Sequence, residues 1–498
     1  MVDYQQLTNQ LVSKMKQEDD LRNKAYDRSW DLNAALIRVE MIHEQEVVSS
    51  PNKNNEVNPL LVQEETALDK LFQETALSPD MYNNIVHNPS GNDEITNIHE
   101  RAPRRGNIDY KMESYARYKS VRNYLNGNGL LSPKAPCFIS GTRNILTDEE
   151  YLGGACIGLC HDLSKIAVSR ASNAMSDPTA VQFVQDARDT VSNVLQELLE
   201  FDWRNSPLRR KYDSTKYALK RLETVLYELS VAGALGGHDS FKEEGGPKKR
   251  IKLDDEKVQE GNDDMNMETS ALDTFRQEIG EIKERMDHRD KLRENLIKTC
   301  RDAQKWAKNA IFGLHRNNAK SAAKLLLDCE NCVKNDLLPI VQEEPTLRGG
   351  SFSNVLEEYV EGKLFYCWLH GKDGEESSNS NDKPTGKILM FDEIDLPITV
   401  DEYIGGLCDL TGEIGRYAVA RGTVRDKESV NLCLGTSKNI CMAIRMAGKL
   451  PGNINKKMNP LQKTVEKMET LLYEQSLMEM AGRKFESSME EGGFDAED

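Results

Sequence analysis

Four carboxylates in the C-terminal half of this 498-residue sequence have the types and spacing of a cation site. Glu358 and Glu361, in LEEYVEGKLF, stand three residues apart; Asp409 and Glu413, in CDLTGE, stand four apart. On an α-helix either spacing puts both members of a pair on one face. If the two helices face each other, four acids converge, and such a cluster needs a cation, because repulsion and desolvation otherwise protonate it. Oxygen-only donors suit Mg²⁺, with Mn²⁺ as the alternative. One or two such ions lower the pKa of a bound water and neutralise charge on a leaving oxygen. The plain alternative is a solvated helix face, since acid pairs are common in a chain with 82 Asp and Glu. The setting favours the first reading: Leu356, Val360 and Leu364 flank one pair and Leu407, Cys408, Leu410 and Ile414 the other, predicting buried helices where charge needs a reason.

The elements that must position these acids are helical. Charged residues at 30% and aromatics at 6% fit helices laced with i,i+4 charge pairs, and the length divides into two large domains. Leu272, Phe275, Ile279 and Ile282 recur at three- and four-residue steps, opening a long helix. Residues 236–270, rich in Gly and charge and poor in large apolar side chains, read as a disordered linker, and 486–498 as a disordered acidic tail. Stretches from Ser49, His87 and Lys372 read as loops on the same grounds. A net charge of −17 excludes a protein that coats nucleic acid with its whole surface, so any such site is local or enclosed. No signal-peptide core and no apolar run of about 18 residues occurs, which predicts an intracellular, soluble chain without membrane contact. The ten cysteines read as buried, reduced hydrophobes; Cys329 and Cys332 form a CxxC without a second pair or a nearby histidine for zinc. Glu40 and His43 make a single ExxH, too little for di-iron, and no Walker loop, nucleophile elbow or dinucleotide fingerprint is present.

The chain also repeats itself. LETVLYELSV from Leu222 returns as METLLYEQSL from Met468, and EEYLGGACIGL around Tyr151 as DEYIGGLCDL around Tyr403. Two copies of one helical domain follow: 1–235 and 271–485, joined by the linker.

These segments resemble the translin family. NSPLRRKYDSTKYALKRLETVLYELSVAGA with EEYLGGACIGL is similar to translin; LEEYVEGKLF, DEYIGGLCDLTGEIGR and RDAQKWAKNAIFGLHR are similar to translin-associated factor X. The resemblance covers most of both domains and is weakest over about residues 50 to 145. It implies an all-α protein of two tandem translin-like helical bundles, fused on one chain, assembling into a hollow eight-domain shell that encloses RNA. It further implies magnesium-dependent endonuclease activity on single-stranded RNA (DNA as the alternative strand), seated in the factor X-like second domain. Glu358, Glu361, Asp409 and Glu413 are then the catalytic and metal-binding set, orienting water in line with a phosphodiester. Four self-associating chains would close the shell, with separate translin-like chains as conceivable further partners. The competing reading is a non-catalytic nucleic-acid-binding scaffold whose acids are structural.

The repeat supplies an internal control. Aligned with the second copy, the first has Ser114 and Arg117 where the glutamates stand, Ile157 for Asp409 and His161 for Glu413. The first domain is therefore read as non-catalytic. It could still bind RNA: Lys111, Arg117, Lys119 and Arg122 alternate with Tyr110, Tyr115, Tyr118 and Tyr124, the mixture that phosphate contact and base stacking require. The same tyrosines could equally be core. Arg209, Arg210, Lys211, Lys216, Lys220 and Arg221 read as a solvated or subunit-contact face, and Arg416, Arg421 and Arg425 as a hold on the strand near the metal. PKKRIKL, with Lys248, Lys249, Arg250 and Lys252, has the basic density of a nuclear import signal, which predicts a nuclear and cytoplasmic distribution.

Overall fold

Each long stretch of helical periodicity forms a helix in the computed structural model, which describes residues 4–49, 58–82, 104–172, 178–203, 206–233, 271–372 and 383–490. In the N-terminal half these are α1 (Tyr4–Ser49), α2 (Pro59–Leu77), α3 (Ile108–Leu125), α4 (Asp148–Glu150) continuing through a π-helical stretch Tyr151–Gly158 into α5 (Leu159–Ala171), α6 (Pro178–Leu198) and α7 (Arg209–Val231). The second half has α8 (Ala271–His315), α9 (Ala319–Cys332), a π-helical turn Val333–Leu337 leading into α10 (Leu338–Glu343), α11 (Ser351–His370), α12 (Val400–Thr423), α13 (Lys427–Met446) and α14 (Gly452–Glu490). Among the described residues the one sheet is a two-residue hairpin, Ile139–Ser140 against Arg143–Asn144, turned at Gly141 with φ 63°. The expected all-α class with two helical repeats stands. The linker at 236–270, the basic run within it, most of the acidic tail and most of the three predicted loops lie outside the described residues.

Two compact units form, and they are not drawn along the repeat boundaries expected from sequence. One comprises Met1–Arg28, Ser78–Gly106 and Lys291–Asp498; the other comprises Ser29–Leu77 and Asn107–Asp290. The division passes through α1 and α8. In the first unit Leu7, Leu11 and Met15 join the core of Leu296, Ala303, Phe352, Tyr359, Tyr403 and Leu407. In the other, Phe275, Ile279 and Ile282 of α8 are buried, Glu278 accepts a hydrogen bond from Ser132 at 2.7 Å, and Arg285 makes a two-pronged bond to Asp148. The spacing of apolar residues predicts these helices but says nothing of which core their faces meet.

The repeats share their local construction. Thr147 with Glu150, and Thr399 with Glu402, form capping boxes that start the glycine-bearing helices. Tyr151 then donates to the Leu131 carbonyl at 2.7 Å and Tyr403 to the Leu389 carbonyl at 2.6 Å. The paired glycines allow backbone approach: a Cβ on Gly154 would lie 2.2 Å from the Glu113 carbonyl oxygen, and one on Gly406 would lie 2.6 Å from Val360. Only glycine fits there, so α12 lies directly against the turn of α11 that carries Glu361. Arg348, 2% exposed, reinforces this junction with a bidentate bond to Glu402, which also accepts from Ser353 at 2.6 Å. One difference is that the first copy is π-helical over Tyr151–Gly158, whereas α12 is α-helical throughout.

Candidate metal centre

The two acid pairs do meet. Glu358 and Glu361 on α11 and Asp409 and Glu413 on α12 lie close enough that the charges of Asp409, Glu358 and Glu413 all act on Glu361. Three of the four are attended by side-chain cations. Lys457 of α14 bonds both Asp409 and the neighbouring Glu357. Lys308 of α8 stands 3.6 Å from Glu358. Glu413 pairs with His315 of α8 at 2.5 Å and with Arg416 at 3.2 Å, and the His315 ring rests 4.9 Å from that of Phe365. Glu361, 8% exposed, makes no ion pair or hydrogen bond of its own with another described side chain.

Burial first, and then the three neighbouring carboxylates, push the Glu361 carboxyl up to about 8, against a partial pull downward from Lys457. Burial also raises Glu358 and Glu357 above the usual range. A buried acid facing three others and lacking its own cation is a donor set with the chemistry of a hard divalent ion: all oxygen, net negative and partly shielded from water. Among the described residues no three acidic, histidine or cysteine side chains stand in a metal-holding arrangement. Lys457, Lys308 and the His315–Arg416 pair draw the carboxylates toward themselves instead. The donors fit the ion in kind, all being oxygen and net negative.

A pH dependence follows. Between its ordinary 4.5 and about 8, folded Glu361 keeps a proton that the unfolded chain has released. Stability therefore falls as pH rises through this window, and the contribution is gone above 8. Glu361→Gln keeps the shape and cannot ionise. In chelator its thermal midpoint should match wild type near pH 5 and exceed it by about 5 °C above pH 8.5. Parallel midpoint curves would contradict the buried, crowded carboxyl.

The first repeat has none of this acid set. Arg117 makes a two-pronged bond to Asp162, Ser114 donates to the Tyr110 carbonyl, and Ile157 is 1% exposed in the core. His161 lies 3.1 Å from Ser214, and burial, followed by the Lys165 charge, holds its pKa down. A cavity of about 500 Å³ opens beside Arg117, lined also by Glu40, His43, Asp162, Lys165 and Arg170. The single ExxH faces this cavity.

The basic–tyrosine helix is largely turned to internal use. Tyr115 and Tyr118 are buried, donating to Asp69 at 2.8 Å and Glu65 at 2.7 Å. Lys119 pairs with Asp69 at 2.8 Å, Arg122 with Glu65 at 3.4 Å, and Lys111 donates to Asn33 at 2.6 Å. Tyr110 remains exposed, while Tyr124 is half-buried against Thr190. In the second repeat Arg416 projects into solvent beside Glu413, Arg421 lies over the Tyr417 ring and bonds its hydroxyl at 2.8 Å, and Arg425 occupies an exposed turn with φ 60°. Lys457, Lys308, His315 and Glu357 were not singled out from sequence as site residues. For Lys457 a signal existed: the spacing that aligns Leu222 with Met468 also aligns Lys211 with Lys457.

Two helical repeats with paired glycines, and an acid cluster confined to one of them, define a two-copy all-α scaffold. The Translin family model matches residues 43–233 and again 291–479, and the chain belongs to that family. It is a fusion of a translin-like and a translin-associated factor X-like half. The Translin-associated protein X homolog of Schizosaccharomyces pombe (strain 972 / ATCC 24843) is 25% identical over 203 residues, covering 38% of this chain and 82% of the relative. Among solved structures, AfC3PO in complex with duplex RNA aligns at 18% identity and TM-score 0.34 over 41% of this chain and 98% of that one. Apo-NeC3PO aligns at 17% identity and TM-score 0.34 over 40% and 96%. Among the described residues no helix is long and apolar enough to cross a membrane.

Proposed function

We propose that this chain is a magnesium-dependent endoribonuclease acting on single-stranded RNA, with catalysis in the second repeat and the first repeat serving as a non-catalytic binding partner. The observation that carries the reading is the buried Glu361 crowded by Asp409, Glu358 and Glu413, in one copy of a fold whose other copy lacks all four. These four carboxylates would hold the divalent ion. When bound, it supplies Lewis-acid activation of water and neutralises charge at the phosphodiester. Glu361, buried against the other three acids, would give up its proton on binding the ion and, with Asp409, Glu358 and Glu413, orient the bound water toward the phosphodiester. Arg416, 66% exposed beside Glu413, and Arg425 hold the strand's phosphates. Four chains supply the eight repeats of a closed shell, so the native mass should lie near four times 56.3 kDa. RNA affinity should fall steeply with salt. Entry to the nucleus would be directed by Lys248, Lys249, Arg250 and Lys252.

A second reading, a non-catalytic single-strand-binding scaffold, draws on the cations already seated on Asp409 and Glu413, Lys457 and Arg416. An end-labelled, unstructured RNA separates the two. The nuclease reading expects internal cuts with Mg²⁺ and none in chelator; intact RNA at every Mg²⁺ concentration, with binding retained, would leave the scaffold.

A further inference from the structure

Lys457 behaves differently from its counterpart in the first repeat. There Lys211 gives its ammonium to both oxygens of Glu113, and the position of Asp409 is filled by the uncharged Ile157. In the second repeat Lys457 keeps the equivalent bond, to Glu357, but divides its ammonium between that residue and Asp409. The glutamates stand in matching places: a Cβ on Gly153 would meet the Glu113 carboxyl carbon at 2.9 Å, and one on Gly405 would meet that of Glu357 at 2.6 Å. Each is thus lodged beside the first glycine of its pair, and the first repeat demonstrates that one glutamate so placed can hold the lysine by itself.

We infer that Lys457 is a positioning residue that occupies Asp409 while no metal is bound and withdraws onto Glu357 when a divalent ion arrives, so that the Lys457–Glu357 pair sets metal affinity. This rests on the reading of the four acids as a cation site. An ammonium and a divalent ion repel each other at one carboxylate, so the two compete for Asp409. Glu357 gives the displaced ammonium a second anion within reach, which lessens the cost of its leaving. Lys457, 31% exposed, would otherwise be left half-buried without a partner.

The competition has a signature that a merely structural lysine lacks. Mn²⁺ affinity of the full chain, read at fixed pH from the electron paramagnetic resonance of the free ion, should tighten about tenfold in Lys457→Gln and weaken about tenfold in Glu357→Gln. The double substitution should match Lys457→Gln, since Glu357 acts only through the lysine. Circular dichroism confirms folding; should Lys457→Gln fail to fold, the weakening in Glu357→Gln decides. Equal affinities in wild type and a folded Lys457→Gln, or an unchanged Glu357→Gln, overturn the inference and leave the metal site standing. Absence of Mn²⁺ binding by wild type overturns the metal reading and this inference with it.

Discussion

Asp409→Asn and Glu361→Gln should each reduce magnesium-dependent RNA cleavage by at least about a hundredfold while leaving RNA binding largely intact. Both substitutions preserve side-chain shape and replace one potential carboxylate donor to the ion between α11 and α12 by an amide that cannot ionise. The effect is therefore on holding the ion and placing the water, not on packing. On the proposed reading, strand binding would depend on cations such as Arg416, which neither change touches. The first repeat provides the control. Ile157, at the position of Asp409, is 1% exposed, so Ile157→Ala should lower stability by about 2 to 4 kcal/mol without altering the rate per folded molecule. Single-turnover cleavage of a labelled strand and equilibrium binding to the same strand measure the two quantities separately. Wild-type rates in either acid variant would remove the catalytic assignment.

Separating the two repeats at the linker should give halves that cannot stand alone. Leu7, Leu11 and Met15, each no more than 1% exposed, belong to the core that holds Phe352, Tyr359 and Leu407. A chain beginning at residue 271 lacks all three. Losing one buried Leu or Met costs about 2 to 5 kcal/mol, so losing three matches or exceeds the whole stability of an ordinary domain. Residues 1–233 in turn lack Phe275, Ile279 and Ile282. Expressed singly, each fragment should aggregate or melt without cooperativity. Co-expressed, fragments 1–233 and 271–498 should purify together on a tag carried by either one. Two independently soluble, cooperatively melting monomers would contradict the assignment of these segments.

What could be read from sequence was what repeats or recurs along the chain. Leu356, Val360 and Leu364 marked α11 as buried, and the acids at 358 and 361 were conspicuous among those apolar neighbours. The double glycine recurs in both copies, and the close helix approach it permits became evident only in the structure. The partners of the acids were not legible in the same way, because Lys308, His315 and Lys457 come from α8 and α14 and meet the acids only through the tertiary fold. Tyr115 and Tyr118 allowed two readings; what buries their hydroxyls is Asp69 and Glu65 on α2, far earlier in the chain. The π-helical stretch Tyr151–Gly158 had no signal, since YLGGACIG and YIGGLCDL differ little in propensity. Nor could periodicity reveal that α1 and α8 each serve two units, because it reports that a face is apolar and not which core covers it.

The account depends most on a divalent ion lying between α11 and α12 and nowhere in the first repeat. Anomalous diffraction from a crystal of the whole chain grown with Mn²⁺ tests this directly. The expected result is a peak within bonding reach of Glu361 and Asp409, with Lys457 turned toward Glu357, and no peak between α3 and the π-helical stretch. Equal peaks in both repeats, or none at the four carboxylates with Lys457 still on Asp409, would contradict it.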